Sequence, residues 1–315
     1  MTRDPRFLPC EGIYLQSHSA GRPPASVADA LAARFIAPWA QGRDEPWPRW
    51  LAAIDDFRAA LGTVLGGDPQ DFCPQDNLSA GLAKLLGSIT PERGRCVALL
   101  HEDDFPSMGF VLGRAGLTLR FIPRDVDPRD VEAWRARIDE TVAVVLVTQV
   151  QSNTGRCLPV EAICRIARAN GALAVVDIAQ SAGVIPMRVD ALGADAVLGS
   201  CLKWLCGGPG AGFLWVSPQL IPRCAPRDVG WFSHAEPFAF DIHDYRDHPG
   251  ALRFWGGTPS VLPFVVATEG LRLIGSIGVE AVRAHNLHLS RLLIDAVPEV
   301  AVFSPLEDTE RGGTV

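Results

Sequence analysis

Six short runs of apolar residues are spaced along the middle of the chain, and they constrain its fold more than any other feature. Each run is continuous rather than alternating in polarity, which predicts strands buried on both faces of a parallel sheet. Helical patterns at 129–141, 159–170 and 189–193 separate most of the runs. This alternation predicts an α/β layer, a mostly parallel sheet with helices on both faces. The runs are CVALL (96–100), LTLRFIP (117–123), VAVVLVT (142–148), LAVVDI (173–178), DAVLGS (195–200) and GFLWVS (212–217).

The chain before these runs has a helical pattern. Residues 27–65 predict helix with a break near 46–48. A further helix is predicted over 77–87, where the side chain of Asn77 or Ser79 can accept a hydrogen bond from the first turn. We therefore expect a mainly helical part that leads into the sheet.

The chain after the runs predicts a second, smaller unit. Residues 221–258 are rich in Pro, Gly, His and aromatic residues, which predicts irregular structure, whereas 261–297 predicts one long amphipathic helical tract. The tail VAVFSP (300–305) predicts a single strand with no sheet to join, so we expect an abbreviated small domain or a fragment of a longer chain. The predicted parts are an N-terminal segment (1–45), a large domain (46–265) and a linking helix with the start of a small domain (266–315).

Composition and charge argue against several functional classes. The chain has 315 residues, 48% of them hydrophobic and 21% charged, as in folded globular proteins. Its net charge of −7 argues against nucleic acid or an anionic membrane as partner, because phosphate binding needs a concentrated basic face. No apolar run reaches the ~20 residues that span a bilayer, and the N-terminus lacks a secretory segment, so we expect a cytoplasmic protein. Eight scattered cysteines and the isolated pair His285 and His288 predict neither a disulfide framework nor a metal site.

Asp177 and Lys203 carry the strongest chemical signal. Asp177 closes the predicted strand at 173–178, at the edge where ligands bind in α/β folds. Lys203 follows a run of small and apolar residues and precedes the glycine-rich turn CGGPG. The two could form a structural ion pair. They could also bind pyridoxal phosphate, which needs a lysine amine for its Schiff base and an acid at its pyridinium nitrogen.

A resemblance to a known family adds to these residues. The stretch DIAQSAGVIPMRVDALGADAVLGSCLKWLCGGPGAGFLWV resembles the cofactor-binding segment of the class V aminotransferase superfamily, and of kynureninase in particular. The resemblance implies pyridoxal 5'-phosphate as cofactor. It also implies fold type I, with a large sheet domain and a small α+β domain that is incomplete here. Further matching stretches are IYLQSHSAG, DNLSAGL (76–82), EDDFPS (102–107), QSNTG (151–155), GWFSH (230–234) and FWGGTP (254–259).

The resemblance also implies roles for residues around the cofactor ring. Lys203 would form the Schiff base and later carry a proton at the substrate carbon, and Asp177 would hold the pyridinium nitrogen. Gln180 would bond the ring hydroxyl. Phe105 would stack on the ring, and Ser107 would line the site.

Other residues would bind the phosphate end, again by resemblance. Leu78 and Ser79 would lie at the phosphate, on the helix that begins there. Ser200 matches the phosphate-binding serine of desulfurases, and Thr148 lies where the family has a cofactor contact. Trp231 and Thr258 would reach this region from a neighbouring subunit, which predicts a homodimer with shared active sites.

The implied reaction is hydrolysis of the Cβ–Cγ bond of an L-kynurenine-type amino acid, to alanine and anthranilate, in tryptophan catabolism. Three positions depart from kynureninase. Gln180 stands where kynureninases have histidine and desulfurases have glutamine, Leu202 replaces a tyrosine, and Met108 replaces the acid of F-P-[ST]-D. The family's arginine for the substrate carboxylate is not assigned, and Arg311 lies too near the end of the chain. The alternatives are another class V enzyme (cysteine desulfurase, lyase or aminotransferase), a catalytically impaired relative that binds the cofactor, or a dimeric scaffold.

Overall fold

The computed structural model describes residues 4–42, 44–299 and 301–315, which fold around a seven-stranded sheet. The strands are β1 (Phe72–Gln75), β2 (Val97–His101), β3 (Thr118–Ile122), β4 (Val142–Thr148), β5 (Leu173–Asp177), β6 (Ala196–Ser200) and β7 (Gly212–Val216). Their spatial order is β1-β7-β6-β5-β4-β2-β3. Strands β2 to β6 pair in parallel, and β7 pairs antiparallel with β6 and with β1.

This sheet confirms the predicted α/β fold, and each of the six apolar runs contains a strand. All seven residues of β4 are buried, as expected for a strand with both faces covered. The sequence did not predict β1, which has only four residues and contains Pro74. A strand at the edge of a sheet can hold a proline, because one side of its backbone needs no partner.

Helices flank the sheet. Two of them, α3 and α8, pack against each other through the buried rings of Phe57 and Phe264, whose centroids lie 4.9 Å apart. A π-helical turn (Ala32–Ile36) joins α1 to α2, and the break expected near 46–48 precedes α3. The helices are α1 (Val27–Leu31), α2 (Ala37–Ala40), α3 (Trp47–Leu65), α4 (Leu78–Ser88), α5 (Pro106–Arg114), α6 (Val131–Arg135), α7 (Val160–Ala169), α8 (Leu262–Ile277) and α9 (Val279–Ala296).

Two predicted helices are shorter than expected. The helix expected over 129–141 covers only α6, because the Asp139 carboxylate accepts a hydrogen bond from the Thr141 N–H (2.9 Å) and Arg120 of β3 bonds the Arg137 carbonyl (2.8 Å). These contacts hold the chain in a turn. The segment expected to be helical at 189–193 is a single 3₁₀ turn, Val189–Ala191, followed by Gly193 in a left-handed conformation (φ 70°).

The prediction of one long helix over 261–297 was wrong. Gly278 adopts φ 86°, a left-handed conformation that glycine adopts readily, and it separates α8 from α9 with a bend of 81°. No single helix in the described residues is long and apolar enough to span a membrane. The bent pair of α8 and α9 meets that test by length and composition only when taken together.

The strand predicted at 300–305 is not formed by the described part of this segment, 301–305. Val300 lies outside the described residues. The tail bonds to the loop after β4 instead. The Cys157 N–H donates to the Glu310 carbonyl (2.8 Å), and the Gly312 N–H donates to the Gly155 carbonyl (2.6 Å). The division of the chain at 45 and 265 stays a prediction.

A close backbone approach joins the sheet to the N-terminus of α4. A Cβ atom on Gly212, the first residue of β7, would lie 3.1 Å from the Asn77 Cα atom and 3.2 Å from the Gln75 carbonyl oxygen. Real Cβ atoms rarely approach so closely, so glycine at this position lets the helix begin directly beside the strand.

We expect Gly212→Ala to lower the free energy of unfolding by about 1–3 kcal/mol, because the added methyl group meets rigid backbone. Gly87→Ala is the matched control. Its added Cβ would meet no atom within 4 Å, and alanine in a helix is favoured over glycine by roughly 0.5–1 kcal/mol. Urea denaturation of both variants would measure the difference, and equal stability of the two would contradict the proposed clash.

Candidate active site

Three polar side chains lie at the carboxyl edge of neighbouring strands. Asp177 ends β5, and its registered partner on β4 is Thr148. The next strand in the sheet is β2, and Asp104 follows its end by three residues. All three side chains are buried. The sheet therefore brings two carboxyl groups and a hydroxyl together at the edge where ligands bind in this class of fold.

The Asp177 carboxyl group is held in place and almost excluded from solvent. Its Oδ1 atom accepts a hydrogen bond from the Ala179 N–H at 2.7 Å. Burial raises the pKa of Asp177 to about 6, against the opposing effects of this hydrogen bond and of the Lys203 charge. The structure thus places Asp177 close enough to Lys203 for the two charges to interact.

Lys203 lies on the turn that follows β6, and its side chain is half-buried. Burial lowers the pKa of its amine, and the negative charge of Asp177 raises it in part. A lysine with a lowered pKa is more often neutral, which makes it a nucleophile. The turn is fixed from both sides, since the Gly21 N–H donates to the Leu202 carbonyl (2.8 Å) and the Cys206 N–H donates to the Lys203 carbonyl (3.0 Å).

The N-terminus of α4 lies beside the end of β6. Ser200 is registered opposite Gly212, which approaches Asn77 closely. Asn77 is the N-cap, because its Oδ1 atom accepts a hydrogen bond from the Ala80 N–H at 2.9 Å. The predicted phosphate residues Leu78 and Ser79 are the first two residues of this 11-residue helix, and both are half-buried. Backbone N–H groups at a helix N-terminus bind phosphate readily.

Gln180 and Ser200 contact the chain near Lys203. The Gln180 amide donates to the His18 carbonyl at 3.1 Å and accepts from the Trp204 indole at 3.4 Å. The Ser200 Oγ atom accepts from the Leu202 N–H at 3.2 Å. Both predicted cofactor contacts therefore lie at the turn that holds Lys203.

The two predicted residues after β2 lie at the start of α5. Phe105 precedes the helix and its ring is 51% exposed, and Ser107 is the second helical residue and half-buried. Met108 faces the opposite way and is only 2% exposed, packed into the hydrophobic core. An exposed aromatic ring beside a buried acid leaves a face free to stack on a ligand.

In the structure, Trp231 lies in a group of aromatic side chains and Thr258 lies on the surface. Trp231 packs edge-on against Trp47, with ring centroids 5.4 Å apart, and Thr258 is exposed. The neighbouring Trp255 carbonyl accepts a hydrogen bond from the Lys84 amine at 2.6 Å. No hydrogen bond or ring contact in the described residues joins either side chain to Asp177 or Lys203.

Two comparisons of the sequence identify the family. A sequence model of the family described as aminotransferase class-V matches residues 109–315. The kynureninase of Deinococcus radiodurans is 32% identical over 98% of this chain and 78% of that enzyme. The chain belongs to the class-V aminotransferase family. The kynureninase of Pseudomonas fluorescens is also similar, at 30% identity over 98% of this chain and 77% of that enzyme.

Solved structures support the fold of this class-V family member. A cysteine desulfurase from Thermococcus onnurineus superposes with a TM-score of 0.81 at 22% identity, covering 96% of this chain and 78% of that one. A mutant of C-DES with glycine covalently linked to its PLP cofactor superposes with a TM-score of 0.82 at 21% identity, covering 90% of this chain and 76% of that one. The protein therefore has PLP fold type I. Its membership of the class-V family makes pyridoxal 5'-phosphate its cofactor.

The residues at the carboxyl edge fit this cofactor. The Thr148 hydroxyl is buried and has no hydrogen-bond partner among the described residues, so the site holds an unsatisfied polar atom that a ligand can bond. Asp177 and Lys203 supply an acid and an amine within range of each other, and the capped N-terminus of α4 supplies N–H groups for a phosphate. No group of three metal-binding side chains is found in the described part of the chain.

The sequence analysis missed several residues of this class-V site. His101 ends the buried strand β2, and Asp104 follows it by three residues. A polar residue at the end of a buried strand was the signal that identified Asp177, but it was not applied to these two residues. Gln151 lies within the matching stretch QSNTG, and its amide contacts His101 Nδ1 at 3.1 Å. Arg311 is fully buried, and its guanidinium bonds the Pro305 and Leu306 carbonyls and Asp308 (2.7–2.9 Å), so it holds the tail together.

Lys203→Ala should abolish covalent trapping of pyridoxal phosphate by borohydride, because the amine that forms the reducible bond is removed. The chain has only two lysines, Lys84 and Lys203, which makes the assignment simple. Lys84→Ala is the control and should still be trapped. Mass spectrometry of tryptic peptides would locate the label, and a label on Lys84 would show that the site is assigned wrongly.

Proposed function

We propose that this class-V enzyme is a kynureninase-like hydrolase. Its substrate is an L-kynurenine-type amino acid, and its products are alanine and an aromatic acid such as anthranilate. The observation that carries the proposal is the identity of about 30% to bacterial kynureninases along nearly the whole chain. The arrangement of Asp177 and Lys203 is consistent with it.

The proposed roles follow from the position of each side chain. When bound, pyridoxal phosphate supplies an electron sink for charge that develops at the substrate Cα. Lys203 would bind the cofactor aldehyde through an amine whose pKa is lowered by burial, and it would then move the proton at the substrate Cα. Asp177 would hold the proton on the ring nitrogen, and Phe105 would cover one ring face. Leu78 and Ser79 would offer their backbone N–H groups to the phosphate, and Ser200 would offer its hydroxyl.

The reaction consumes one water molecule. Water adds to the γ-carbonyl carbon of the substrate, the Cβ–Cγ bond breaks, and the acyl carbon leaves as the carboxyl group of the aromatic acid. The Cβ atom takes up a proton and becomes the methyl group of alanine. Gln180 in place of histidine and Leu202 in place of tyrosine remove two groups that could assist proton transfer, so we expect a slower enzyme than the kynureninases that have both.

Cysteine desulfurase chemistry is the second candidate, favoured by Gln180 and Ser200. That chemistry needs a nucleophilic thiolate near Lys203. Cys201 and Cys206 flank Lys203, but burial raises the pKa of both thiols, for Cys206 to about 11. Cys96 is exposed, yet it precedes β2 at the opposite edge of the sheet. The thiols nearest to Lys203 therefore give this alternative no support.

Anthranilate fluorescence would test the proposal. On addition of L-kynurenine, the loaded protein should release anthranilate and alanine in equal amounts, and Lys203→Ala should release neither. Sulfide release from L-cysteine, measured in parallel, tests the alternative that the protein is a cysteine desulfurase. A protein that binds the cofactor and releases neither product would instead be the catalytically impaired relative.

The proposed enzyme works as a homodimer in which Trp231 and Thr258 serve the partner's site. An exposed apolar patch supports this assembly. Phe240 stacks on Trp231 and is 74% exposed, and Ile242, two residues further along the chain, is 91% exposed. Large exposed apolar side chains on one surface mark interaction sites.

Mixing two inactive variants would test the shared site. In a mixed dimer of Lys203→Ala and Trp231→Ala, one of the two sites keeps both side chains. Random pairing should therefore restore about a quarter of the wild-type rate. Each variant refolded alone is the control, and no recovery in a mixture shown to contain mixed dimers would place Trp231 in its own subunit's site.

A further inference from the structure

Asp104 is a buried acid that the proposed mechanism does not use. It follows β2, and the strand order β5-β4-β2 places it in line with Asp177 and Thr148 at the carboxyl edge of the sheet. Its side chain is 8% exposed. An acid in such a position needs a partner, because burial of an unpaired charge is costly.

The hydrogen bonds of Asp104 leave one of its oxygens unsatisfied. The Oδ2 atom accepts from the His101 N–H at 2.9 Å. The Oδ1 atom is buried and has no hydrogen-bond partner among the described residues, and the same is true of the Thr148 hydroxyl beside it. The Thr148 hydroxyl is close enough to lower the pKa of Asp104, although its geometry falls short of a full hydrogen bond.

The charges around Asp104 disfavour its ionised form. The negative charges of Asp177 and Asp103 both act on it, and no arginine or lysine in the described residues forms a salt bridge with it. Arg124 bonds Asp103 at 2.8 Å, and Lys203 acts on Asp177. The pKa of the His101 imidazole is lowered by burial, so this ring adds no positive charge near neutral pH. Burial first, and then the two acids, raise the pKa of Asp104 to about 7.

We propose that Asp104 is a positioning residue for Asp177. It stays protonated near neutral pH, so that Asp177 alone carries the negative charge at the buried end of the site. The negative charge of Asp177 disfavours ionisation of Asp104, so the proton stays on Asp104. The inference rests on the proposed function in one respect, since Asp177 is taken to hold the ring nitrogen of the cofactor.

The apoprotein tests the protonated state without any cofactor. Between about pH 4 and pH 7 the folded protein keeps the Asp104 proton that the unfolded chain has already lost, so Asp104 makes a contribution to stability that is lost as the pH rises. Asp177 and Asp71 contribute in the same direction up to about pH 6, whereas burial lowers the pKa of the His101 and His248 imidazoles, which act in the opposite direction. The stability of Asp104→Asn relative to the wild type should therefore rise between pH 6 and pH 7, because asparagine does not titrate. Urea midpoints across this range would measure it.

Asp125→Asn is the matched control, since this exposed acid is not among the charges that act on Asp104, and its stability relative to the wild type should stay constant between pH 6 and pH 7. A profile for Asp104→Asn that equals that of the wild type would overturn the proposal. Infrared spectroscopy of the wild type needs no variant. The C=O stretch of a protonated carboxylic acid should persist above pH 6, and its absence there would also overturn the proposal.

The protein with bound cofactor tests whether Asp104 acts on the charge at Asp177. Above pH 7 an ionised Asp104 adds negative charge that favours a protonated cofactor. Asp104→Asn should therefore move the pH midpoint of the visible absorption band to lower pH, by about half a unit or more, with cofactor content unchanged. Asp125→Asn should keep the wild-type midpoint, and a midpoint unmoved in Asp104→Asn would refute the role. A wild type that binds no cofactor would refute the proposed function and leave the apoprotein result standing.

Discussion

Burial of the Asp177 carboxyl group at the end of β5 is the constraint on which the site depends. A carboxylate in that position loses its hydration, and the chain compensates with the Ala179 N–H and with the charge of Lys203. Lys203 also loses hydration, and this burial lowers the pKa of its amine. Folding therefore makes Asp177 a weaker acid and Lys203 a better nucleophile.

The phosphate end depends on backbone rather than on charge. Gly212 lets β7 pass within contact distance of Asn77, and this places the N-terminus of α4 next to Ser200 across the antiparallel strands. No arginine or lysine is needed there, since N–H groups at a helix N-terminus attract anions themselves. The chain can therefore have a net charge of −7 and still belong to a family that binds a phosphorylated cofactor.

The sequence predicted the parts of the fold that follow from local pattern. Continuous apolar runs predicted six of the seven strands in the described residues, and Asp177 lies at the end of a strand as the pattern predicted. The sequence pattern gave wrong predictions where a single residue, or a contact between distant parts of the chain, determines the structure. Gly278 divides a helical pattern that looks continuous, and the tail pairs with the loop at 155–157 rather than forming a strand. Asp104 was missed because its burial depends on how β2, β4 and β5 are ordered in space.

Leu202 and Met108, two positions that differ from the kynureninase pattern, both fit the scaffold of this chain. Leu202 contributes its backbone carbonyl to the Gly21 N–H, so the turn that holds Lys203 does not need a tyrosine at this position. Met108 fills the core, where an ionised acid would be costly. Both substitutions therefore keep the scaffold while removing polar groups. Two buried acids and a desolvated lysine each raise the free energy of the folded state, so stability alone does not explain them. A cofactor site does explain them, in agreement with the class-V family to which the chain belongs.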